Sequence, residues 1–330
     1  MLELQPDDSG AREKLATGFL VTNQRGKAIE MLQEIIKQHP DRYQPYELLG
    51  KVLEEDAEFL RQAKKLEEAK AEFAKAAASY EQSLLINAAQ PDNYLHLAEL
   101  YLTRLRDNDR AVKLLQEARR HFPTSPQITY LLAVALREAG QTQQAVTTFE
   151  EVLTEAQAGG GDIVNGRFYF EYGAAAERAG LYPKAAELFK KSIQVAPGDA
   201  AEAYNYLGFM WADQGTNLDE AESYIKKALA ADPENGAYLD SLGWLSFRRG
   251  KFEQALAELL SAAQALKTDD PTVFLHIGDA YEKLQQLPQA LDYWQRALKI
   301  DPSDKKLAEK IARTKTNLSK AAPVSSPLAK

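Results

Sequence analysis

A small residue placed directly after an apolar one returns along this chain at a nearly fixed interval. Leu15-Ala16, Leu49-Gly50, Leu97-Ala98, Leu132-Ala133, Tyr172-Gly173, Leu207-Gly208, Leu242-Gly243 and Ile277-Gly278 form the series. The small residues are spaced 34, 48, 35, 40, 35, 35 and 35 apart. About twelve residues after each stands an alanine: Ala28, Ala111, Ala145, Ala185, Ala221, Ala255 and Ala290, with Ala76 taking this part in the long second unit. A fixed period of this length signals a repeat array and decides the fold ahead of local propensity.

Each unit reads as two helices. In the last, Phe274, Ile277, Gly278 and Tyr281 recur at helical spacing over Val273–Leu284, and Ala290, Leu291, Trp294, Ala297 and Leu298 do so over Pro288–Ile300. Asp301-Pro302 then stops the second helix, because proline cannot continue the hydrogen-bond ladder. The small residues have a steric reason: two helices approach to about 8 Å only where the side chains at their crossing are minimal.

These residues resemble the tetratricopeptide repeat family. Its pattern is an aromatic, Leu-Gly or Leu-Ala, a Tyr, a Gly turn, an Ala, an aromatic, an Ala and then Pro. Tyr238–Ala262 and Phe274–Pro302 carry it, as does Tyr204–Pro233 with one inserted residue near Asn217. The likeness covers nearly the whole chain in about eight units: 9–42, 43–90, 91–125, 126–165, 166–200, 201–235, 236–270 and 271–304. It implies an all-α, right-handed superhelical solenoid of antiparallel helix pairs.

The period breaks in informative places. Unit 2 is 14 residues too long, and the surplus lies in Glu54–Phe73, which has no Gly or Pro. Shared between two helices it adds about 10 Å to each at 1.5 Å per residue. A helical hairpin at 54–73 is therefore expected to project beyond its neighbours, as a solvated extension or as a docking prong. Six extra residues around Gly159-Gly160-Gly161-Asp162 read as a slack loop or a hinge between units 1–4 (9–165) and units 5–8 (166–304). A phosphate loop would need a preceding strand and a following Lys-Ser or Lys-Thr, which are lacking.

At the end, Ser303–Leu318 reads as a helix with Ser303 as its N-cap, and 305–320 as the capping element that a repeat array needs over its last open core. Residues 321–330 are expected to be a disordered tail. At the start, Leu2, Leu4 and Pro6 fall where Leu298, Ile300 and Pro302 fall in the last unit. Residues 1–8 are accordingly expected to be the tail of a preceding, truncated repeat.

Composition narrows function by exclusion. The 330 residues include no cysteine, which removes disulfides, thiolate metal sites and Cys nucleophiles. A net charge of −8 disfavours nucleic acid as a partner. No run of apolar residues is long enough to span a membrane. His39, His96, His121 and His276 are not at metal-ligand spacing, and no nucleophile motif is present. We expect no catalytic residues, no metal and no cofactor.

Function is then expected on the concave wall, which by the family resemblance the first helices line. The positions in the middle and late units are Tyr130, Val134, Arg137, Phe170, Arg178, Asn205, Phe209, Asp213, Asp240, Trp244, Phe247 and Arg248. Aromatic residues and arginine dominate binding hot spots; the other reading is that these aromatics pack against neighbouring repeats or against a terminal helix lying in the groove. Trp244→Ala is expected to weaken a partner by about 2 kcal/mol while leaving the melt nearly unchanged. The early units, with Glu47, Glu54, Glu55, Asp92 and Glu99, are acidic instead. The Lys and Asn set with which some family members grip a peptide carboxylate is not reproduced.

A narrower likeness lies in Gly208–Trp244, which is similar to bacterial outer-membrane lipoproteins of this repeat type. Some of these are adaptors that deliver substrates to proteases or assemble envelope enzymes. The expected function is a non-catalytic adaptor for a protein or peptide segment, in the periplasm or anchored at the outer membrane, with the cytoplasm as alternative. Two other readings stand beside it: a regulatory or targeting region of a larger enzyme, and a homo-oligomeric scaffold.

Overall fold

The structure is a computed structural model and describes residues 9–22, 24–157 and 161–321. The expected repeat tail at 1–8, most of the triple-glycine segment and the tail from 322 onward lie outside the described residues. Among the described residues every regular element is helical. They form two compact units, one running to Val164 and including Arg178–Gly180, the other Asn165–Glu177 with Leu181 onward.

The first unit holds four helix pairs: α1 (Ser9–Val21) with α2 (Arg25–Gln38), α3 (Tyr43–Gln62) with α4 (Leu66–Ile86), α5 (Pro91–Leu100) with α6 (Asn108–His121), and α7 (Pro126–Glu138) with α8 (Thr142–Glu155). The second holds α9 (Gly166–Arg178), α10 (Tyr182–Val195), α11 (Ala201–Gln214), α12 (Leu218–Ala231), α13 (Gly236–Arg248), α14 (Phe252–Ala265), α15 (Pro271–Lys283), α16 (Leu287–Ile300) and α17 (Lys305–Ala321). The last residue of α9 belongs with the first unit.

The small-residue series sits at the crossings inside the pairs. Ala16, Ala98 and Ala133 are fully buried, as are all eight alanines of the second series. Where the residue is glycine, a partner side chain fills the space. A Cβ added to Gly243 would lie 2.6 Å from Leu259 Cγ, and one on Gly173 would lie 2.9 Å from Phe189 Cδ1. A side chain added at these glycines must displace the partner side chain that fills the space, so each crossing is tightly packed.

The turn inside the pairs is equally regular. Gly140, Gly180, Gly215 and Gly250 take φ between 70° and 76°, a left-handed conformation that costs other residues energy. The inserted residue near Asn217 is absorbed by a second left-handed position, Asn217 itself, just before α12. In the α5–α6 pair Arg106 takes the left-handed place after a π-helical turn, Tyr101–Leu105.

α3 and α4 contain 20 and 21 residues, against 13 or 14 in their counterparts α13 and α14. Lys64 makes the tight turn between them. At that end Phe59 and Leu66 are 61% and 62% exposed. Exposed pairs such as Arg61 with Glu58 and Lys65 with Glu68 lace the surface there.

α17 closes the second unit. Its Leu307 and Ile311 join the core of α15 and α16 around Trp294, while Lys310 lies over the Trp294 ring and pairs with Asp279 and Glu282. The helix starts two residues later than the expected cap at Ser303. Ser303 donates to Asp301, and Asp304 accepts from the Leu307 amide as the cap instead. A carboxylate there also complements the positive helix end better than a hydroxyl.

Candidate functional site

Within the second unit the first helices of successive pairs pack on one another, α11 on α13 and α13 on α15. Such packing turns their free faces toward a common wall. In the first unit α5 meets α7 in the same way.

The wall of the first unit is polar around α3 and α5. A cavity of about 880 Å³ is lined by Glu47, Glu54, Glu58, Tyr80, His96 and Arg104, among others. His96 shares a 2.7 Å hydrogen bond with Glu54, which also accepts from Tyr80 Oη at 3.1 Å. The bond to Glu54 raises the His96 pKa above its ordinary 6.5. Burial pushes the Glu54 carboxyl up, but the hydrogen bond and charge of His96, with help from Tyr80 and Arg104, outweigh it and bring the pKa below 4.5. Burial and the Glu54 charge push the Tyr80 hydroxyl strongly up, so it stays a donor.

Tyr130 packs edge-on against Phe149. Arg137 is buried and paired with Glu138 at 2.7 Å, and its carbonyl accepts from Arg178. These three residues, with the half-buried Val134, belong to the first unit; Arg137 is buried, Tyr130 half-buried and only Arg178 well exposed.

The remaining expected residues gather in two places in the second unit. One is a stack. Trp244 lies between Phe247, with ring centroids 4.7 Å apart and planes at 7°, and His276, at 4.1 Å and 14°. Its Nε1 donates to Asp213 Oδ1 at 3.1 Å. Arg248 donates to the Asp213 carbonyl and lies over the Trp244 ring. Trp244 is only 9% exposed. That burial changes the outcome expected for Trp244→Ala, which must now lower the melt. Trp244 and Phe247 share a helical face by their spacing of three; the sequence did not reveal the third ring, His276, 32 residues away in the next pair. The other missed link is His276 to Asp240, at 2.9 Å.

The second place is a cavity of about 290 Å³ lined by α9, α11, α13 and the start of α15, where Asn205, Phe209 and Asp240 meet. Tyr206, Met210 and Val273 complete its apolar side. Phe170, the last of the expected residues, is buried beside it, edge-on to Tyr206 at 5.0 Å. Tyr206 itself is 36% exposed. Asn205 is buried, yet its Oδ1 has no hydrogen-bond partner.

The chain matches profiles of the tetratricopeptide repeat over residues 102–159 and 201–312. The chain belongs to the tetratricopeptide repeat family. Similar proteins include a TPR repeat-containing protein of Pseudomonas aeruginosa, 31% identical over 172 residues, which are 52% of this chain and 28% of that protein. The type IV pilus assembly protein PilF of the same organism is 24% identical over 145 residues, 44% of this chain and 57% of PilF. The chain thus spans under two thirds of the length of either relative. The fold is shared with solved structures at low identity. Cut9 in its complex with Hcn1 aligns at a TM-score of 0.57 and 14% identity, covering 94% of this chain and 70% of that one. Yeast Tom70 aligns at 0.55 and 15%, covering 96% and 83%. The tetratricopeptide array is therefore an all-α superhelical repeat fold. Among its described residues no helix is long and apolar enough to cross a membrane.

Proposed function

We propose that this tetratricopeptide-repeat chain is a non-catalytic scaffold that binds a peptide or protein segment along the first-helix wall. The observation that carries the reading is in the second unit: Tyr206 and Phe209 flank a cavity that the unit's own packing leaves open. Core rings elsewhere in the array, such as Phe149, Phe189 and Trp294, are fully buried. A partly exposed aromatic pair beside an open cavity offers contact area to a partner segment, and aromatic residues are enriched in hot spots.

The setting belongs to the same proposal. Assembly or substrate delivery in a bacterial envelope, with the chain in the periplasm or anchored at the outer membrane, is supported by the relative named for type IV pilus assembly and by the lipoprotein-like stretch Gly208–Trp244. Fractionation of the source cells tests the compartment, and light scattering across concentration tests self-association.

The binding proposal is tested by affinity pulldown with the whole chain and with a Tyr206→Ala/Phe209→Ala variant. A specific partner retained by the wild type and lost by a variant that is still folded, with an unchanged helical circular dichroism spectrum at the pulldown temperature, supports it. Equal recovery by both proteins contradicts it.

A further inference from the structure

The α3–α4 hairpin of the first unit carries an end surface that the other pairs lack. Ala57, Ala69 and Phe73 are buried within its extra length, so the two helices stay packed well out along the extension. At the tip, Phe59 and Leu66 face water. Of the chain's twelve phenylalanines, all of them among the described residues, only Phe59 is exposed. Single apolar side chains scattered over a surface are ordinary. Here two large ones stand at the end of a packed extension that the repeat does not require, and covering them removes apolar area from water.

The charges at the tip say what covers it. Arg61 pairs with Glu58 and Lys65 with Glu68, while Lys64 and Lys70 stand against Glu67. Residues 58–70 are thus close to neutral, whereas the whole chain carries −8. A net charge of one sign holds copies apart, and the tip is a patch where two copies approach without that repulsion. A patch bearing both signs is also complementary to itself across a two-fold axis, since a cation of each copy meets an anion of the other. A strongly acidic or strongly basic partner gains no net attraction from it.

We propose that the chain pairs with a second copy of itself through the tip of the α3–α4 hairpin, with Phe59 and Leu66 at the centre and the mixed charges as the rim. The hairpin is packed before it meets its partner, so little freedom is lost on pairing. The contact is small, in the class below roughly 1,200 Å² that gives weak, reversible association. The proposal is independent of the partner-binding reading above.

Light scattering of the whole chain, from micromolar to near-millimolar concentration, is expected to show a mass that rises toward twice that of one chain and stops there. Phe59→Ser/Leu66→Ser should raise the concentration needed at least about tenfold, as loss of a hot-spot contact does, with an unchanged circular dichroism spectrum. Because the chain has no cysteine, a bismaleimide should join two copies carrying Leu66→Cys and leave Tyr182→Cys chains single. A wild type that stays monomeric throughout would overturn the proposal, and in that case loss of a different protein from the double variant alone would assign the tip to another partner. A dimer that the double substitution leaves intact would place the contact elsewhere and overturn it too. A mass that climbs past two copies would also contradict it, since a head-to-tail contact and not a two-fold one would then join the chains.

Discussion

His96 and His276 occupy the same place in the repeat, each two residues before the small residue of its first helix, and they do different work. His96 in the first unit bonds Glu54, meets Tyr80 edge-on at 5.1 Å and keeps 44% of its side chain exposed over a polar cavity. His276 in the second unit is 7% exposed, bonds Asp240 and stacks on Trp244. Both link their helix to the first helix of the preceding pair. The repeat dictates where the imidazole points; the residues of the preceding pair decide whether it meets water or rings. One wall is therefore an acidic, solvated surface and the other an aromatic one with a small cavity.

The largest effect that would break this contrast is at the crossings. Gly243→Leu drives a side chain into Leu259, and overpacking of this kind costs about 3 kcal/mol. An unchanged melting temperature would mean that the helix register is wrong. Next comes Trp244→Ala, expected to cost about 3 kcal/mol because the ring is buried, stacked on both faces and hydrogen-bonded. A melt equal to wild type, measured by circular dichroism, would return Trp244 to the role of a free binding residue.

Substitution of the two histidines comes next in size. His276→Ala leaves Asp240 buried without its partner and is expected to cost about 2 kcal/mol. His96→Ala is expected to cost less than about 1 kcal/mol, since its ion pair is open to solvent. Equal losses in urea titrations would erase the distinction between the units.

The smallest effect is in the pH profile. The raised pKa of His96 adds stability that is fully present below pH 6.5 and is lost as pH rises through its folded value. The lowered pKa of Glu54 adds stability present above pH 4.5 and lost as pH falls through its folded value. The pair is strongest between those two pH values, so wild type minus His96→Gln should peak there and shrink at pH 9. A difference that grows with pH would show that the bond does not carry the coupling.

The period disclosed a repeat array of helix pairs, because each crossing needs a small residue and each pair needs the same turn; the superhelical solenoid followed from the family resemblance. Gly243 against Leu259 and Gly173 against Phe189 are that requirement in atoms. The surplus of fourteen residues could be divided between two helices for the same reason: no Gly or Pro interrupts Glu54–Phe73. The candidate site was legible only as a list of positions. The family resemblance says which positions face the wall, but burial on that wall depends on the neighbouring pair. It buried Trp244 and Arg137 and left Tyr206, which the list did not contain, exposed. Acidic residues one pair before His96 and His276 were the available sign of the two cross-links. Asp240 lies three residues before its small residue and Glu54 four after Gly50, so no single spacing rule finds both.

Site-specific photocrosslinking in the cells that make the protein asks whether the wall of the second unit holds another polypeptide. A benzophenone side chain placed at Phe209, on the wall of the second unit, is compared with one at Tyr182, which is 42% exposed at the start of a second helix. Discrete adducts with another polypeptide are expected from position 209 and none from 182. Adducts from 182 alone, or equal labelling at both, would contradict the scaffold reading.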